Sequence, residues 1–271
     1  MIECVVNISE GKNSSTLSAL KKSCQTSLLD IHIDSDHNRS VFTLAHSDPL
    51  RLENSVRKLA QAAITLIDIS EHKGEHPRIG VVDVVPFVAL PNTDSTHKDA
   101  INYRDRFAIW MSETFDMPCF LYGMERSLPF IRKHAFKDLQ PDTGPLNPHP
   151  TAGACAVGAR KLLVAYNLWL KSNDVTLAKE IAASIRGSGI RSIGLNMNGQ
   201  AQVSCNLIDP LTTGPDIAYD RVAGYAQIER TELVGLIPTA VLENIPQSRW
   251  EQLDISPEKT IESRLEQLLT D

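Results

Sequence analysis

Hydrophobic positions repeat with two different periods along this chain, and the switching between them predicts strands interleaved with helices. Short apolar runs bounded by turn residues indicate strands, and apolar positions three to four residues apart indicate helices. In the N-terminal half the pattern predicts a strand at residues 2–8 and then a helix that begins near Asn13 or Ser14. A strand pair at 28–33 and 40–45 follows. After it come a helix that begins at Pro49, with Asp48 as its cap, and a strand in "VVDVVPFVAL". A helix at residues 96–115 and a strand in "MPCFLYG" follow.

A proline-rich stretch, "QPDTGPLNPHP" at residues 140–150, interrupts this pattern before it starts again. The second round reads as a strand in "KLLVAYNLWL", a helix at 175–185, strands in "SIGLNMN" and "AQVSCNLI", a helix at 215–228 and a strand in "RTELVGLIP". Both halves contain the order β-α-β-β-α-β. The pattern therefore predicts an α/β (α+β) fold of two ferredoxin-like subdomains, at residues 1–159 and 160–271, each an open mixed sheet with helices on one face.

Composition narrows the class of protein further. Apolar residues make up 42% and charged residues 22% of the chain, and the net charge of −6 does not suggest a nucleic-acid-binding face. The longest apolar runs are too short and too interrupted to span a membrane, and the N-terminus lacks the features of a signal peptide. The five cysteines are scattered without a C-x-x-C pair. We therefore expect a cytoplasmic protein whose thiols pack as small apolar groups.

The stretch "EHKGEHPRIG" at residues 71–80 carries the first candidate chemistry. His72 to His76 fits the H-x-x-E-H pattern of inverted zinc proteases, which need both histidines on one continuous helix. Gly74 lies inside the motif, and Pro77 disfavours a helical conformation at His76, so the pattern argues against a metal site. The other interpretation makes His76 a general acid/base in a loop, because an imidazole exchanges protons near neutral pH. For His72, a solvated position at a helix end is the simpler interpretation.

Several longer motifs resemble the formiminotransferase domain of glutamate formimidoyltransferases and of formiminotransferase-cyclodeaminases. They are "ECVVNISEGKN", "DHNRSVFTLA", "HKGEHPRIGVVDVVPF", "GARKLLVAYN" and "QVSCNLID". The resemblance implies a homodimer of two-subdomain chains with a folate-binding cleft between the subdomains, and no cyclodeaminase domain here. It also implies transfer of a formimidoyl group from N-formimidoyl-L-glutamate to N5 of the co-substrate tetrahydrofolate, without metal, nucleic acid or membrane. The family's catalytic histidine falls on His76.

The resemblance also assigns binding residues. The loop before "GAR" lines the folate site of the family, which places here Gly144, Pro145, Leu146, Asn147, Pro148, His149, Pro150, Thr151, Ala152 and Gly153. His149 can hydrogen-bond the pterin ring, or the loop can be a rigid connector between the subdomains. Lys73, Arg78, Arg160 and Lys161 are candidates for contacts with the substrate carboxylates, because carboxylates favour charged donors. Asn38 and Arg39 are expected either to contact the substrate or to fix the turn in which they lie. The tripeptide "SEG" at residues 9–11 ends the first strand, where α/β sheets often place ligand groups.

This chain departs from the fused enzymes at two of these places. The second acid of their "D-x-D" is His32 here, so we expect Asp34 or Asp36 to orient the catalytic imidazole instead. The alternative is that the turn at these residues is a solvated hairpin with no role in catalysis. The aromatic residue of the fused enzymes in the folate loop is Ala152 here. These differences keep two alternatives open: a folate-binding relative with weak or no turnover, and a transferase or hydrolase that acts on another small substrate.

Overall fold

The computed structural model describes residues 1–74, 77–91 and 93–270 of the 271-residue chain. The chain divides into two compact units, Met1–Lys161 and Leu162–Asp271. Each unit contains its own open sheet and its own apolar core. The α/β class and the two open sheets confirm the prediction from the sequence pattern.

The first unit contains a six-stranded sheet. Its strands are Ile2–Ile8 (β1), Leu28–Asp34 (β2), Arg39–His46 (β3), Val82–Ala89 (β4), Cys119–Tyr122 (β5) and Cys155–Ala159 (β6). Its helices are Ser14–Ser23 (α1), Pro49–Leu66 (α2), His97–Phe115 (α3) and Leu128–His134 (α4). The strand order is β2-β3-β1-β4-β6-β5. The first four strands pair antiparallel in the ferredoxin-like arrangement, and β6 and β5 extend the sheet in parallel.

Local capping explains where the helices of this unit begin. The Asn13 side chain accepts hydrogen bonds from two main-chain amides of the first turn of α1. Asp48 does the same for Leu50 at the start of α2, where Pro49 occupies the first helical position. Thr96 forms a reciprocal capping box with Asp99 at the start of α3. These three starts confirm the boundaries that the sequence predicts.

The helices of the first unit do not all lie on one face of its sheet, in contrast to the prediction. Helices α1, α2 and α3 contribute to the main core cluster, which contains Val85 and Phe87 of β4. Ile131 of α4 belongs to a separate cluster with Val84. Because neighbouring residues of a strand face opposite sides, α4 covers the other face of the sheet. Neither α4 nor β6 was predicted, since both are short.

The second unit contains a four-stranded sheet. Its strands are Val164–Leu170 (β7), Ile190–Met197 (β8), Gln200–Leu207 (β9) and Ile228–Val234 (β10), and its helices are Val175–Ile185 (α5), Pro215–Ala223 (α6), Thr239–Glu243 (α7) and Ile261–Thr270 (α8). The strand order is β10-β7-β9-β8. Every pairing is antiparallel, so this sheet is not the mixed one expected. In the β-α-β-β-α-β order, the two strands that each helix connects are parallel but not adjacent. A strand of opposite direction lies between them, so every neighbouring pair is antiparallel.

Two further features bear on function. Within residues 1–74, 77–91 and 93–270, no helix is both long enough and apolar enough to cross a bilayer. All five cysteines are buried, and burial raises the pKa of Cys24 and Cys205 to about 12. Thiols with such pKa values stay protonated at neutral pH, so these two cysteines are packing residues and poor nucleophiles.

Candidate functional site

Four segments that are distant in the sequence meet at one end of the first sheet. The main-chain amide of Ser9, just after β1, donates to the carbonyl of Val81 at 2.8 Å. Val81 in turn donates to the carbonyl of Ala152 at 2.9 Å. The amide of Gly11 donates to Oδ1 of Asn38 in the β2–β3 turn at 2.9 Å. The loop before β4, the turn, the end of β1 and residues 149–153 therefore form one continuous hydrogen-bonded surface within the first unit.

Asn38 ties the β2–β3 turn to the loop that precedes β4. It has a positive φ of 47°, a conformation that asparagine tolerates better than most residues. Its Nδ2 donates to the carbonyl of Lys73 at 2.9 Å, and its own carbonyl accepts from Nε2 of His72 at 2.9 Å. The loop is thus held from one side over two consecutive residues, immediately before Gly74.

The turn itself is fixed by Asp34. Its carboxylate accepts hydrogen bonds from the amides of Asp36 and His37 at 2.9 and 2.8 Å, and it lies 3.1 Å from Nδ1 of His37. Burial by itself raises the pKa of this carboxyl group, but the bonds from His37 and Asp36 outweigh burial and lower the pKa to about 2. Asp34 is therefore ionised at neutral pH.

His72 and Arg78 contact each other across the loop. Nη1 of Arg78 donates to Nδ1 of His72, and Nη2 of Arg78 donates to the carbonyl of His37 at 3.0 Å. Burial, and then the Arg78 charge, lower the pKa of His72. Nη1 of Arg78 also lies 2.8 Å from Nε2 of His72, so Arg78 is within hydrogen-bond distance of both ring nitrogens. With its proton on Nε2, a neutral imidazole donates to the Asn38 carbonyl and leaves Nδ1 to accept from Arg78. His72 is therefore a neutral linker between the turn and the loop.

A buried carboxylate on the C-terminal side of the same loop forms ion pairs with two arginines. Asp83 of β4 is fully buried, and its Oδ2 accepts from Arg39 at 2.6 Å and from Arg132 at 2.8 Å. Its Oδ1 accepts from the amide of Ile79 at 2.8 Å. Burial raises the pKa of Asp83, but the two arginines outweigh burial and hold that pKa below its usual value. With Arg78, these four side chains carry a formal charge of +2 when ionised.

Residues 149–153 form a tight hairpin against the segment that leads into β4. His149 and Gly153 exchange main-chain hydrogen bonds at 2.8 and 2.9 Å, and the amide of Ala154 donates to the carbonyl of Ile79 at 2.9 Å. Gly80 and Gly153 form an antiparallel bridge in which a side chain on either glycine would collide with main-chain oxygens. The close approach of the two segments therefore depends on the two glycines.

Comparisons with known proteins match this chain over most of its length. A family model described as the N-terminal subdomain of the formiminotransferase domain matches residues 1–160. A glutamate formimidoyltransferase of Streptococcus pyogenes serotype M1 is 32% identical over 96% of this chain and 97% of its own length. A second, from Thermoplasma acidophilum, is 30% identical over 90% of both chains. The chain belongs to the formiminotransferase domain family.

This membership confirms the family that the sequence motifs indicated. A formimidoyltransferase-cyclodeaminase of Gallus gallus is 34% identical over 88% of this chain, but the match covers 50% of that protein. The chain therefore spans about half the length of the fused members of the formiminotransferase family that it matches.

The catalytic residue of the formiminotransferase prediction, His76, lies outside the described residues, as does its neighbour Glu75. The structure does describe both flanks of that position. Lys73 is exposed and Arg78 half-buried. Arg39 is buried, and its guanidinium donates to Asn7 as well as to Asp83. Asn38, Arg39, Lys73 and Arg78 thus lie on or against the segments that meet at this end of the sheet.

Arg160 and Lys161 lie at the opposite end of the same strands. The amide of Arg160 donates to the carbonyl of Phe87 at 3.1 Å, at the end of the parallel β4–β6 pair. Phe87 lies seven positions after Gly80 in the chain, which corresponds to roughly 20 Å of extended strand. Arg160 and Lys161 therefore lie on a separate part of the surface, and their contact with the substrates remains a prediction.

The folate-loop residues fall into two groups. Residues 144–148 are exposed, whereas Ala152 and Gly153 are buried. Nδ1 of His149 accepts from the amides of Thr151 and Ala152 at 3.3 and 3.0 Å, so this nitrogen stabilises its own turn. With Nδ1 as an acceptor, the neutral ring carries its proton on Nε2. A contact between His149 and a ligand therefore depends on Nε2.

Sequence reasoning missed Asp83 and Arg132. Asp83 interrupts the apolar run "IGVVDVVPF", and a charge in a buried strand needs a partner of opposite charge. That signal could have prompted a search for its cationic partners. Arg132 lies 49 residues away in a short exposed helix, where nothing local distinguishes it from Lys133. Within the described part of the chain, no group of three His, Cys, Asp or Glu side chains is arranged to hold a metal.

Proposed function

We propose that this protein transfers a formimidoyl group from N-formimidoyl-L-glutamate to N5 of tetrahydrofolate. The proposal rests on one observation in a chain of this family. The residues on both sides of His76 lie against the hairpin 149–153, at an end of the sheet where guanidinium groups outnumber carboxylates. Relatives matched over nearly their whole length bear the name glutamate formimidoyltransferase. The donor in that reaction is a dicarboxylate, and the acceptor carries a flat ring and carboxylates.

His76 is the proposed general acid/base. In the reaction, N5 attacks the amidine carbon and its N–H bond breaks, while the bond from that carbon to the glutamate nitrogen breaks and this nitrogen gains a proton. One imidazole can accept the first proton and return it to the leaving nitrogen. Hydrogen bonds hold the described residues on both flanks of His76: Asn38 donates to the carbonyl of Lys73, and the amide of Ile79 donates to Asp83.

The positive charge at this end of the sheet suits an anionic donor. Arg78 is half-buried, and burial followed by the nearby charge of Arg39 lowers the pKa of its guanidinium. A carboxylate that entered here would relieve this repulsion and accept charge-assisted hydrogen bonds. Arg78 and exposed Lys73 are the proposed contacts with the donor. The guanidinium of Arg39 is buried, so it acts on the donor through its charge at a distance. Its ion pair also holds Asp83 in place.

The hairpin 149–153 is the proposed support for the pterin ring. Its main chain is fixed against residues 79–81, and its preceding segment 144–148 is exposed and contains Leu146, which is 62% exposed. An apolar side chain and exposed main-chain groups in one loop match a flat ring with polar edges. The bulk that an aromatic residue gives the fused enzymes at position 152 is absent, because Ala152 is small and buried.

A direct assay tests the proposal. The protein is incubated with N-formimidoyl-L-glutamate and tetrahydrofolate, and 5-formimidoyl-tetrahydrofolate and glutamate are quantified together. We expect equal amounts of both products and a rate that depends on both substrates. Saturable tetrahydrofolate binding without product would favour the folate-binding relative. Glutamate release without tetrahydrofolate would favour a hydrolase, and neither binding nor release would favour another substrate.

A further inference from the structure

Arg132 connects the second face of the sheet to the loop that carries His76. It lies in α4, whose Ile131 packs against the face opposite to the main core. From there Nη1 donates to the main-chain carbonyl of Pro77, and Nη2 donates to Oδ2 of Asp83 at 2.8 Å. Pro77 directly follows His76 in the chain. One guanidinium group therefore joins the residue after the proposed base to a buried carboxylate.

The carboxylate end of this connection is rigid. Asp83 is fully buried near the start of β4, and it is held independently by Arg39 and by the amide of Ile79. The guanidinium plane fixes the angle between its two nitrogens, so the position of Asp83 determines where Nη1 can meet an acceptor. The rigidity of the strand is thereby transmitted to the carbonyl of Pro77.

We infer that Arg132 is a positioning residue for the transfer reaction, because it fixes the loop on the C-terminal side of His76. This inference rests on the proposed function for the role of His76. The opposite flank is already fixed by Asn38, which holds the carbonyl of Lys73. Arg132 supplies the matching constraint on the other side. A general acid/base transfers protons efficiently only within hydrogen-bond reach of the reacting nitrogen, so loss of either constraint lowers the rate of the chemical step.

The two-pronged contact predicts which replacements preserve the function. Methionine keeps a similar length but removes both donors, and Asp83 still retains its contacts with Arg39 and Ile79. Lysine keeps the charge and one nitrogen, which can reach Asp83 or Pro77 but lacks the planar fork. We therefore expect the order of kcat to be parent, then Arg132→Lys, then Arg132→Met.

Steady-state kinetics of Arg132→Met and Arg132→Lys test the inference. We expect Arg132→Met to lower kcat about 10- to 100-fold, the range that a small displacement of a catalytic group produces, with KM for both substrates within about threefold. Arg132→Lys should recover part of kcat. Arg249→Met is the matched control, since Arg249 forms a bidentate ion pair with Asp220 in the second unit. It should lose ion-pair contacts without loss of kcat.

Three outcomes would overturn the inference: an unchanged kcat in Arg132→Met, a rise in KM with kcat intact, or an equal loss of kcat in Arg249→Met. Hydrogen–deuterium exchange of the peptide covering residues 72–81 supplies a readout that does not depend on activity. Arg132→Met should accelerate exchange there and leave β5 unchanged. If the parent protein lacks transfer activity, the proposed function fails. The exchange result then decides the loop constraint by itself, with faster exchange supporting it and unchanged exchange overturning it.

Discussion

Asn38 donates a hydrogen bond of 2.9 Å to the main-chain carbonyl of Lys73, a residue 35 positions later in the chain. The same asparagine accepts from the amide of Gly11 and, through its own carbonyl, from His72. One turn residue thus joins the end of β1, the β2–β3 hairpin and the loop before β4. This explains why a short polar residue in a left-handed conformation occupies that position.

Replacement of Asn38 by glycine should separate its backbone role from its hydrogen bonds. Glycine tolerates the positive φ of 47° but removes both side-chain contacts. We expect a loss of about 1–2 kcal/mol in the free energy of unfolding and at least a tenfold fall in kcat. Urea unfolding and steady-state rates measure the two effects. Asn198→Gly is the control, because Asn198 has a φ of 52° in the β8–β9 hairpin of the other unit, and it should keep the parent's kcat.

His76→Ala should abolish most of the transfer activity while the protein stays folded. Loss of a general acid/base typically lowers the rate by about 10²–10⁴-fold. Turnover and thermal unfolding are measured side by side, with His97→Ala as the control, since His97 begins α3. A variant at position 76 that kept the parent's rate within a few-fold would exclude this histidine as the base.

Gly153→Ala should weaken tetrahydrofolate binding as well as the fold. The added Cβ would collide with the carbonyl oxygen of Ile79, and φ at this position is 73°. Gly199→Ala introduces similar backbone strain, with φ of 90°, but its Cβ meets nothing within 4 Å. We expect about 1–2 kcal/mol of destabilisation at Gly199 from strain alone, and more at Gly153. Only the Gly153 variant should raise KM for tetrahydrofolate. If both variants raised this KM equally, the hairpin 149–153 would not be part of the tetrahydrofolate site.

Asp34→Asn should reduce stability in a pH-dependent way. The pKa of Asp34 is lowered from 3.8 to about 2 in the folded protein, so its ionised form stabilises the fold above pH 4 and this contribution disappears as the pH falls toward 2. The shift corresponds to about 2 kcal/mol at pH 7. Urea unfolding of parent and variant should therefore differ most near neutral pH and converge in acid.

The kinetics of the Asp34 and Asp36 variants answer a separate question. If Asp34→Asn and Asp36→Asn both keep the parent's rate and pH profile, the turn does not supply a carboxylate partner for His76. The hydrogen bonds of Asp34 to the turn amides favour a structural role for Asp34, so we expect Asp36→Asn to have the larger effect on the pH profile.

Binding of tetrahydrofolate and of the donor should weaken as ionic strength rises. Arg39, Arg78 and Arg132 exceed the charge of Asp83 at the candidate site, and salt screens the attraction of this excess for carboxylates. Titrations in increasing potassium chloride measure the dependence, with sucrose of equal osmolality as the control. Affinities that do not change with salt would exclude an electrostatic contribution to binding.

The sequence by itself determined those parts of the protein that depend on neighbouring residues. Helix starts at Asn13, Asp48 and Thr96 follow from side chains that cap the next turn, so a local pattern suffices to place them. The β-α-β-β-α-β order follows from hydrophobic periodicity in the same way. The family motif "HKGEHPR" also lies in one continuous stretch, so the sequence alone is enough to nominate His76 as the base.

Only the tertiary structure decided which distant segments meet. β6 inserts between β4 and β5, α4 packs on the second face, and Arg132 thereby reaches Asp83. None of these follows from a local pattern, because a short strand or helix is stabilised mainly by its partners elsewhere in the chain. The charge of Asp83 indicated that a partner must exist, but the choice of Arg39 and Arg132 among 27 basic residues depended on packing across the sheet.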